Sequence, residues 1–484
     1  MTSAANLALA PVLLPLAGAV GCVLLAGRAR VAEAFSLAAA AANLVAALAI
    51  LQAVGAHGRL ALILGDWAWP FGIAFAVDRL SAVLIAVSAL IALVCLVFQA
   101  ARVDPAARRP ATLALVHGLM AGVGGAFATG DLFNLYVWFE VMLIAALGLL
   151  AHRGRVAELD GTLRYLVLNM VGTLVLLVGI AVVYGATGQL NFVALARAGS
   201  DPLLAAGVGL LAVAFLAKAA AFPLFSWLPA AYHVLPAPLL ALFAGLLSKV
   251  GVYALLRLFG QVFPAALAGW QPLLGALAVA TMVAGALGAA YHWDLRRILA
   301  FHIVSQIGYL LLAVALASPA GHAAAIFYTV HHIVVKAHLF LLAALVCRVA
   351  GSYDLRRIGG VAAARPLLAI VFAVPALSLV GIPPLSGFWA KFLVLRESFA
   401  GGHWMWAGAA LATGVLTLYS MSKIWLEAFW KPHPAAPALR PLPAAALLAV
   451  TALAALTVWI GLCPQTLLGL AEQAAAGLAA EAAR

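Results

Sequence analysis

Stretches of roughly twenty apolar residues follow one another along this chain with only short charged or proline-rich breaks, and no feature constrains its fold more. A helix needs about 20 residues to cross the hydrocarbon core, and only helices and closed barrels satisfy their backbone polar groups there. The runs fall near 7–27, 32–54, 78–100, 111–130, 131–152, 163–187, 203–222 with a broken continuation to 235, and 237–259. They resume at 271–291, 295–317, 321–349, 367–400, 404–428 and 443–465. The sequence therefore predicts an all-α polytopic membrane protein of about fourteen spans, with short connections and no soluble domain. Composition agrees, since 67% of the 484 residues are hydrophobic and 9% charged.

The net charge of +12 does not indicate nucleic acid, because the basic residues lie between spans rather than in one patch. Arg28, Arg30, Arg102, Arg108, Arg109, Arg296, Arg297, Arg356, Arg357, Lys431 and Arg440 fall in alternate connections. By the positive-inside bias these are cytoplasmic, so an even span count leaves both termini outside a bacterial cell membrane. The first run has no Lys or Arg before it, lacks the charged start of a secretory signal, and is expected to remain as the first span. Cys22, Cys95, Cys347 and Cys463 show no CxxC spacing, which argues against a metal or disulfide framework. No Walker sequence or strand-to-helix GxGxxG is present, so no nucleotide or other cofactor is expected. The connection at 55–78, with Trp67, Trp69 and Pro70, predicts an interfacial cap or hairpin.

Chemistry enters where charge interrupts apolar sequence. Lys218 and Lys249 flank a stretch broken by Pro223, Pro229, Pro236 and Pro238. An ammonium at mid-bilayer costs about 2.5–3.5 kcal/mol and faces protein or a wet cavity, while proline frees carbonyls that must find partners. The competing account is a proline-rich loop with both lysines snorkelling, but Lys249 has mostly apolar neighbours far along the helix on each side. A second break, GIPPLSG at 381–387, precedes Lys391. AFPLFSWLP and IPPLSGFWAK share the order of Pro, Leu and aromatic residues, with the lysine before one break and after the other. Paired interrupted helices are the pattern of inverted repeats that form ion sites at the midplane.

Glu140 lies nine residues beyond Asp131, at mid-bilayer depth, and is the expected partner of Lys218. That pair either opens and closes or simply ties two helices together. In the eleventh run His332 and Lys336 share one helical face and His331 and His338 another. The cluster suits a proton relay; histidines held by backbone carbonyls, or a metal site, are the alternatives, though no carboxylate lies near for a metal. Lys423 and Glu427, one turn apart, predict a snorkelling local pair outside the relay. Asp78 and Arg79 read as span-boundary residues, and His302, Ser305 and Gln306 as possible lining.

TGDLFNLYVWFEV, KAAAFPLFSWLPAAY, SKVGVYALLR, HHIVVKAHLFL and GIPPLSGFWAKF occur in that order. They resemble the antiporter-like membrane subunits shared by respiratory complex I and Mrp-type multisubunit Na+/H+ antiporters, and are most similar to the antiporters' D subunits. The resemblance covers nearly the whole chain. It implies fourteen helices with two inverted five-helix repeats, each containing a broken helix: N-terminal helices at 1–110, repeats at 111–259 and 271–428, and a C-terminal helix and tail at 443–484. It implies a proton pathway through Glu140, Lys218, Lys249, His331, His332, Lys336, His338 and Lys391. It also implies a hetero-oligomeric complex of membrane subunits, with protons and Na+ as the transported ions. Lysine at 391 and the absence of a long lateral helix argue against particular complex I subunits. A proton-pumping role in an NADH:quinone oxidoreductase or a membrane-bound hydrogenase is the alternative, and this chain carries no redox centre in either case.

Overall fold

The computed structural model describes residues 3–67, 72–103, 110–199, 201–433 and 441–482. Trp69, Pro70, Arg108, Arg109 and Arg440 lie outside these residues. Helices α1 (Ala10–Leu24) and α2 (Ala29–His57) lead into a hairpin of β1 (Leu60–Ile63) and β2 (Ala74–Val77). Its strands pair antiparallel with Leu60 opposite Val77, so the expected hairpin is present. Then come α3 (Arg79–Ala100), α4 (Pro110–Ala128), α5 (Leu132–Leu150) and α6 (Val156–Thr187). The broken span is α7 (Pro202–Ala219) and α8 (Trp227–Tyr232), followed by α9 (Ala237–Arg257).

The second series is α10 (Pro264–Tyr291), α11 (Leu295–Ala315) and α12 (Pro319–Ala350), then a broken span of α13 (Pro366–Val380) and α14 (Ser386–Ala400), then α15 (Trp404–Ile424). Helices α16 (Ala444–Leu462) and α17 (Pro464–Ala482) end the chain. Among the described residues thirteen helices are long and apolar enough to cross a membrane, and α13 with α14 supplies one more interrupted crossing.

Two series of five spans, α4 to α9 and α10 to α15, repeat each other feature by feature. Asp131 caps α5 and bridges to Asn191, while Asp294 caps α11 and bridges to Asp354. The long third helices α6 and α12 precede the broken spans, both of which contain a cis X-Pro bond, Phe222-Pro223 and Pro383-Pro384. Both fifth helices end in a π-type turn, Leu258–Val262 and Trp425–Trp430. Because five crossings separate equivalent positions, the second series runs through the bundle in the opposite direction.

Every residue of α9 is buried, as are nearly all of α11 and α12, so these three helices form the middle of the molecule. A helix apolar all round belongs in such a core, and lipid exerts no hydrophobic drive to hold it there, so close contact must. At Gly251 an added Cβ would stand 2.5 Å from the Ala219 amide nitrogen and 2.8 Å from the Lys218 carbonyl carbon. Glycine thus lets α9 lie directly on the end of α7. The tail after α16 is not loose: α17 buries Leu467, Ala471, Ala474 and Leu478 against α12 and α3.

Candidate functional site: a buried row of lysines and histidines

The first break begins where Ala220 takes a left-handed conformation and ends α7. The break frees backbone groups that lipid could not satisfy, and protein side chains meet them. Trp227 Nε1 donates to Ala217 O at 3.2 Å, and the Phe222 amide donates to Thr281 Oγ1 on α10 at 3.0 Å. Lys218, two residues before the break, turns to α6, donating to Thr173 Oγ1 at 2.7 Å and Asn169 O at 3.2 Å, with the Phe139 ring 5.4 Å away. A cavity of about 10 Å³, room for a single water, adjoins it between Met142, Tyr165, Asn169 and Trp227.

Glu140 is close enough to act on Lys218 through its charge. Among the described residues, however, no ion pair within 4.0 Å joins the two, and Glu140 Oε1 is buried without a hydrogen-bond partner. The expected pair is therefore present as neighbours, with the lysine turned to α6. Glu140 is half-buried and shares the outward side of α5 with the exposed Phe133, Val137 and Ile144.

From Lys218 the row continues through the middle helices. Lys249 on α9 donates to Ala244 O at 2.5 Å. It lies within electrostatic reach of His332 and Lys336 on α12. Both His332 ring nitrogens are buried without a partner, and Lys336 reaches only Leu299 O at 3.4 Å. His331, on another face of α12, bonds Ser386 Oγ at 2.8 Å through Nδ1, and Ser386 meets Ser378 Oγ at 3.1 Å. Lys391 donates to Val380 O at 2.8 Å, across its own break, and stands 5.1 Å from the Tyr309 ring. At Gly387 a Cβ would fall 1.7 Å from Ser378 O, so only glycine closes this break. His338 lies two turns beyond His331, fully buried, with both nitrogens unpartnered.

The structure adds residues to the site. Asn169 and Thr173 were not expected there, and two polar residues four apart in an apolar span are the sequence signal that marks them. His302, expected only as lining, is fully buried within reach of Lys336, Lys391 and Lys423, and bonds Ser420 Oγ at 2.8 Å. One expectation is corrected and another extended. Lys423 is buried and donates to the carbonyls of Ala290 and His292, both at 2.7 Å, while Glu427 bonds Lys431 at 2.9 Å. Glu427 stays close enough to act on Lys423 through its charge, but its bonded partner is Lys431, within the π-type turn at 425–430. Asp78 is more than a boundary residue: besides capping Ser81 N it forms two 2.6 Å bonds with the buried Arg257 guanidinium. Burial acts to raise the Asp78 carboxyl, but the charge and hydrogen bonds of Arg257 and the Ser81 amide hold it below the usual range. Among the described residues no three His, Cys, Asp or Glu side chains gather as a metal site.

An open cavity of about 380 Å³ lies where α6, α8 and α11 begin or end, lined by Asp160, Arg164, Ser226, His233, His292 and Arg297. Burial, then the Arg297 charge, lowers both imidazoles below the ordinary histidine value, and Lys423 adds to the effect at His292. His233 donates from Nδ1 to Pro229 O at 2.9 Å and accepts from Arg297 at Nε2.

The family described as NADH:quinone oxidoreductase/Mrp antiporter, TM matches residues 129–417. The chain is 38% identical over 429 residues to the D subunit of the Na(+)/H(+) antiporter of Alkalihalophilus pseudofirmus, covering 88% of this chain and 87% of that one. Among solved structures it is similar to a chain of the Mrp complex from Dietzia sp. DQ12-45-1b, with TM-score 0.93, 34% identity and coverage of 99% and 98%. It is also similar to a chain of respiratory complex I from Thermus thermophilus, with TM-score 0.84, 27% identity and coverage of 98% and 99%. A buried row of amines and imidazoles on two inverted repeats, together with these matches, places the chain in the NADH:quinone oxidoreductase/Mrp antiporter transmembrane family.

Proposed function

We propose that this chain is a proton-translocating subunit of a multisubunit Na+/H+ antiporter in a bacterial cell membrane, with both termini outside. One observation carries the proposal: a row of buried lysines and histidines crosses the middle of the bundle, and among the described residues no acid is bonded to its lysines. The repeats at 111–259 and 271–428 serve as two half-channels joined by Lys249, His332 and Lys336. An amine taken out of water can both accept and release a proton, and neighbouring amines repel, so a proton arriving at one promotes release from the next. Lys218 has two resting places, the Glu140 charge on α5 and the Thr173 hydroxyl with the Asn169 carbonyl on α6. Movement between them switches the counter-charge that governs its proton, and that proton passes to Lys249. His331, His338 and Lys391 continue the path through the second repeat. Other membrane subunits cover the outward side of α5 that carries Glu140.

The test is Lys249→Ala and Lys249→Arg in the native complex, read by pH-dye quenching in inside-out vesicles on addition of NaCl. Both variants should lose transport while assembly is retained, because arginine keeps the charge but does not release its proton. Wild-type turnover in either would overturn the relay. A second reading, proton pumping within a redox-driven complex, is favoured by the likeness to a complex I chain. It keeps the same residues and changes the neighbours, and the subunits that co-purify with the native chain distinguish the two.

A further inference from the structure

We propose that the second repeat has its own proton entrance: from the open cavity beside His292, through Lys423 and Ser420, to His302 and the row. The proposal rests on the relay function above. Lys423 Nζ is anchored on the carbonyls of Ala290 and His292, immediately behind a residue that lines the cavity. One turn back along the same face of α15, Ser420 meets His302 Nε2. His302 is fully buried, its Nδ1 has no partner, and Lys336 and Lys391 act on it through their charges. Three side chains thus lie in series between an open cavity and the region of Lys336 and Lys391. Asp160, Arg164, His233, Asp294, Arg296 and Arg297 flank the mouth, and Glu427 lies near Lys423.

A purely structural account makes Lys423 a cap for the last carbonyls of α10. A cap would not require a serine behind it, bonded to a histidine whose other ring nitrogen is left without a partner. Helix α15 presents buried hydroxyls at Thr413, Thr417 and Ser420 towards the same interior. Thr417 and Ser420 both bond carbonyls one turn back, Thr413 and Leu416 respectively. The Ser420 proton can therefore rotate from Leu416 O to His302.

The transfer balances as follows. The Lys423 ammonium gives one proton to Ser420 Oγ, directly or through one water, and Ser420 gives its own hydroxyl proton to His302 Nε2. The imidazolium then releases the Nδ1 proton towards Lys336 or Lys391. Lys423 regains a proton from the cavity, and rotation of the His302 ring and of the Ser420 hydroxyl back to Leu416 O restores the starting tautomer for the next proton.

The experiment compares Lys423→Arg and Ser420→Ala with Lys249→Arg in the native complex, assembled and assayed in inside-out vesicles with a NaCl pulse and a pH dye. Lys423→Arg keeps the cap and the charge but withholds the proton. Ser420→Ala leaves the cap intact and breaks the connection. Each should slow proton transport about tenfold or more at normal assembly, and Ser420→Thr, which restores the hydroxyl, should recover most of the loss. Wild-type turnover in Ser420→Ala overturns the entrance, and wild-type turnover in Lys423→Arg reduces Lys423 to a cap. If Lys423→Arg fails to assemble, the Ser420 pair decides alone. Loss in Lys249→Arg with none in Ser420→Ala sinks only this inference, whereas wild-type turnover in Lys249→Arg removes the relay beneath it.

Discussion

The two repeats solve one problem, a lysine beside a broken helix, in different ways. In the first, the carbonyl of Ala217 accepts from both the Ala220 amide and the Trp227 indole, which leaves Lys218 to bind Thr173 and Asn169 on α6. In the second, Lys391 itself satisfies Val380 O across the break. Glu140 stands near Lys218, whereas the corresponding helix of the second repeat carries His302, eight residues beyond its capping Asp294 as Glu140 is nine beyond Asp131. The first lysine is thus held by α6 while a carboxylate stands nearby on α5. The second is held by a backbone carbonyl, with no carboxylate bonded to it among the described residues. Under the proposed relay, the first half would switch and the second would conduct.

Lys218→Ala and Lys391→Ala should break both halves, each lowering proton transport about a hundredfold or more. Substantial turnover in Lys391→Ala alone, by vesicle dye quenching, would mean that protons leave before the second repeat. Thr173→Val removes the α6 resting place without removing charge, so Lys218 should stay with Glu140 and transport should fall about tenfold. The same change should leave assembly intact, and an unchanged rate would show that Lys218 does not use Thr173. Gly251→Ala inserts a methyl group against the α7 backbone and should cost about 1–3 kcal/mol. The measure is a lower unfolding temperature of the complex in detergent, with a few-fold loss of rate. Ser378→Ala, beneath the second break, removes the acceptor of the Gly387 amide and should cost about 1 kcal/mol of stability, with the smallest effect on rate because Ser386 still holds His331. A large rate loss there would make the second half a switch as well.

The span pattern was legible because a bilayer leaves so few solutions: runs of about 20 apolar residues must be helices. Buried charge was legible for the same reason, since Lys218, Lys249, Lys336 and Lys391 could not be placed in lipid at acceptable cost. Glu140 and the α12 histidines followed from depth and helical periodicity. Lys423 misled because distance from a helix end suggests snorkelling, and one-dimensional spacing cannot reveal that α10 ends against its side chain. Asp78 is the boundary residue that the sequence indicates, but its partner Arg257, 179 residues away, is not legible there.

What the chain's sequence determined by itself is which residues are forced out of water and which helices must break, because local hydropathy and proline chemistry act within a turn or two. Only the tertiary structure decided their partners: Thr173 for Lys218, Val380 O for Lys391, two α10 carbonyls for Lys423 and Ser420 for His302. Those choices depend on how helices far apart in sequence cross, and the crossings are set by close contacts such as that of Gly251 on α7. A hydrogen bond reaches only about 3 Å, so helix packing, rather than the order of residues, selects which polar groups meet.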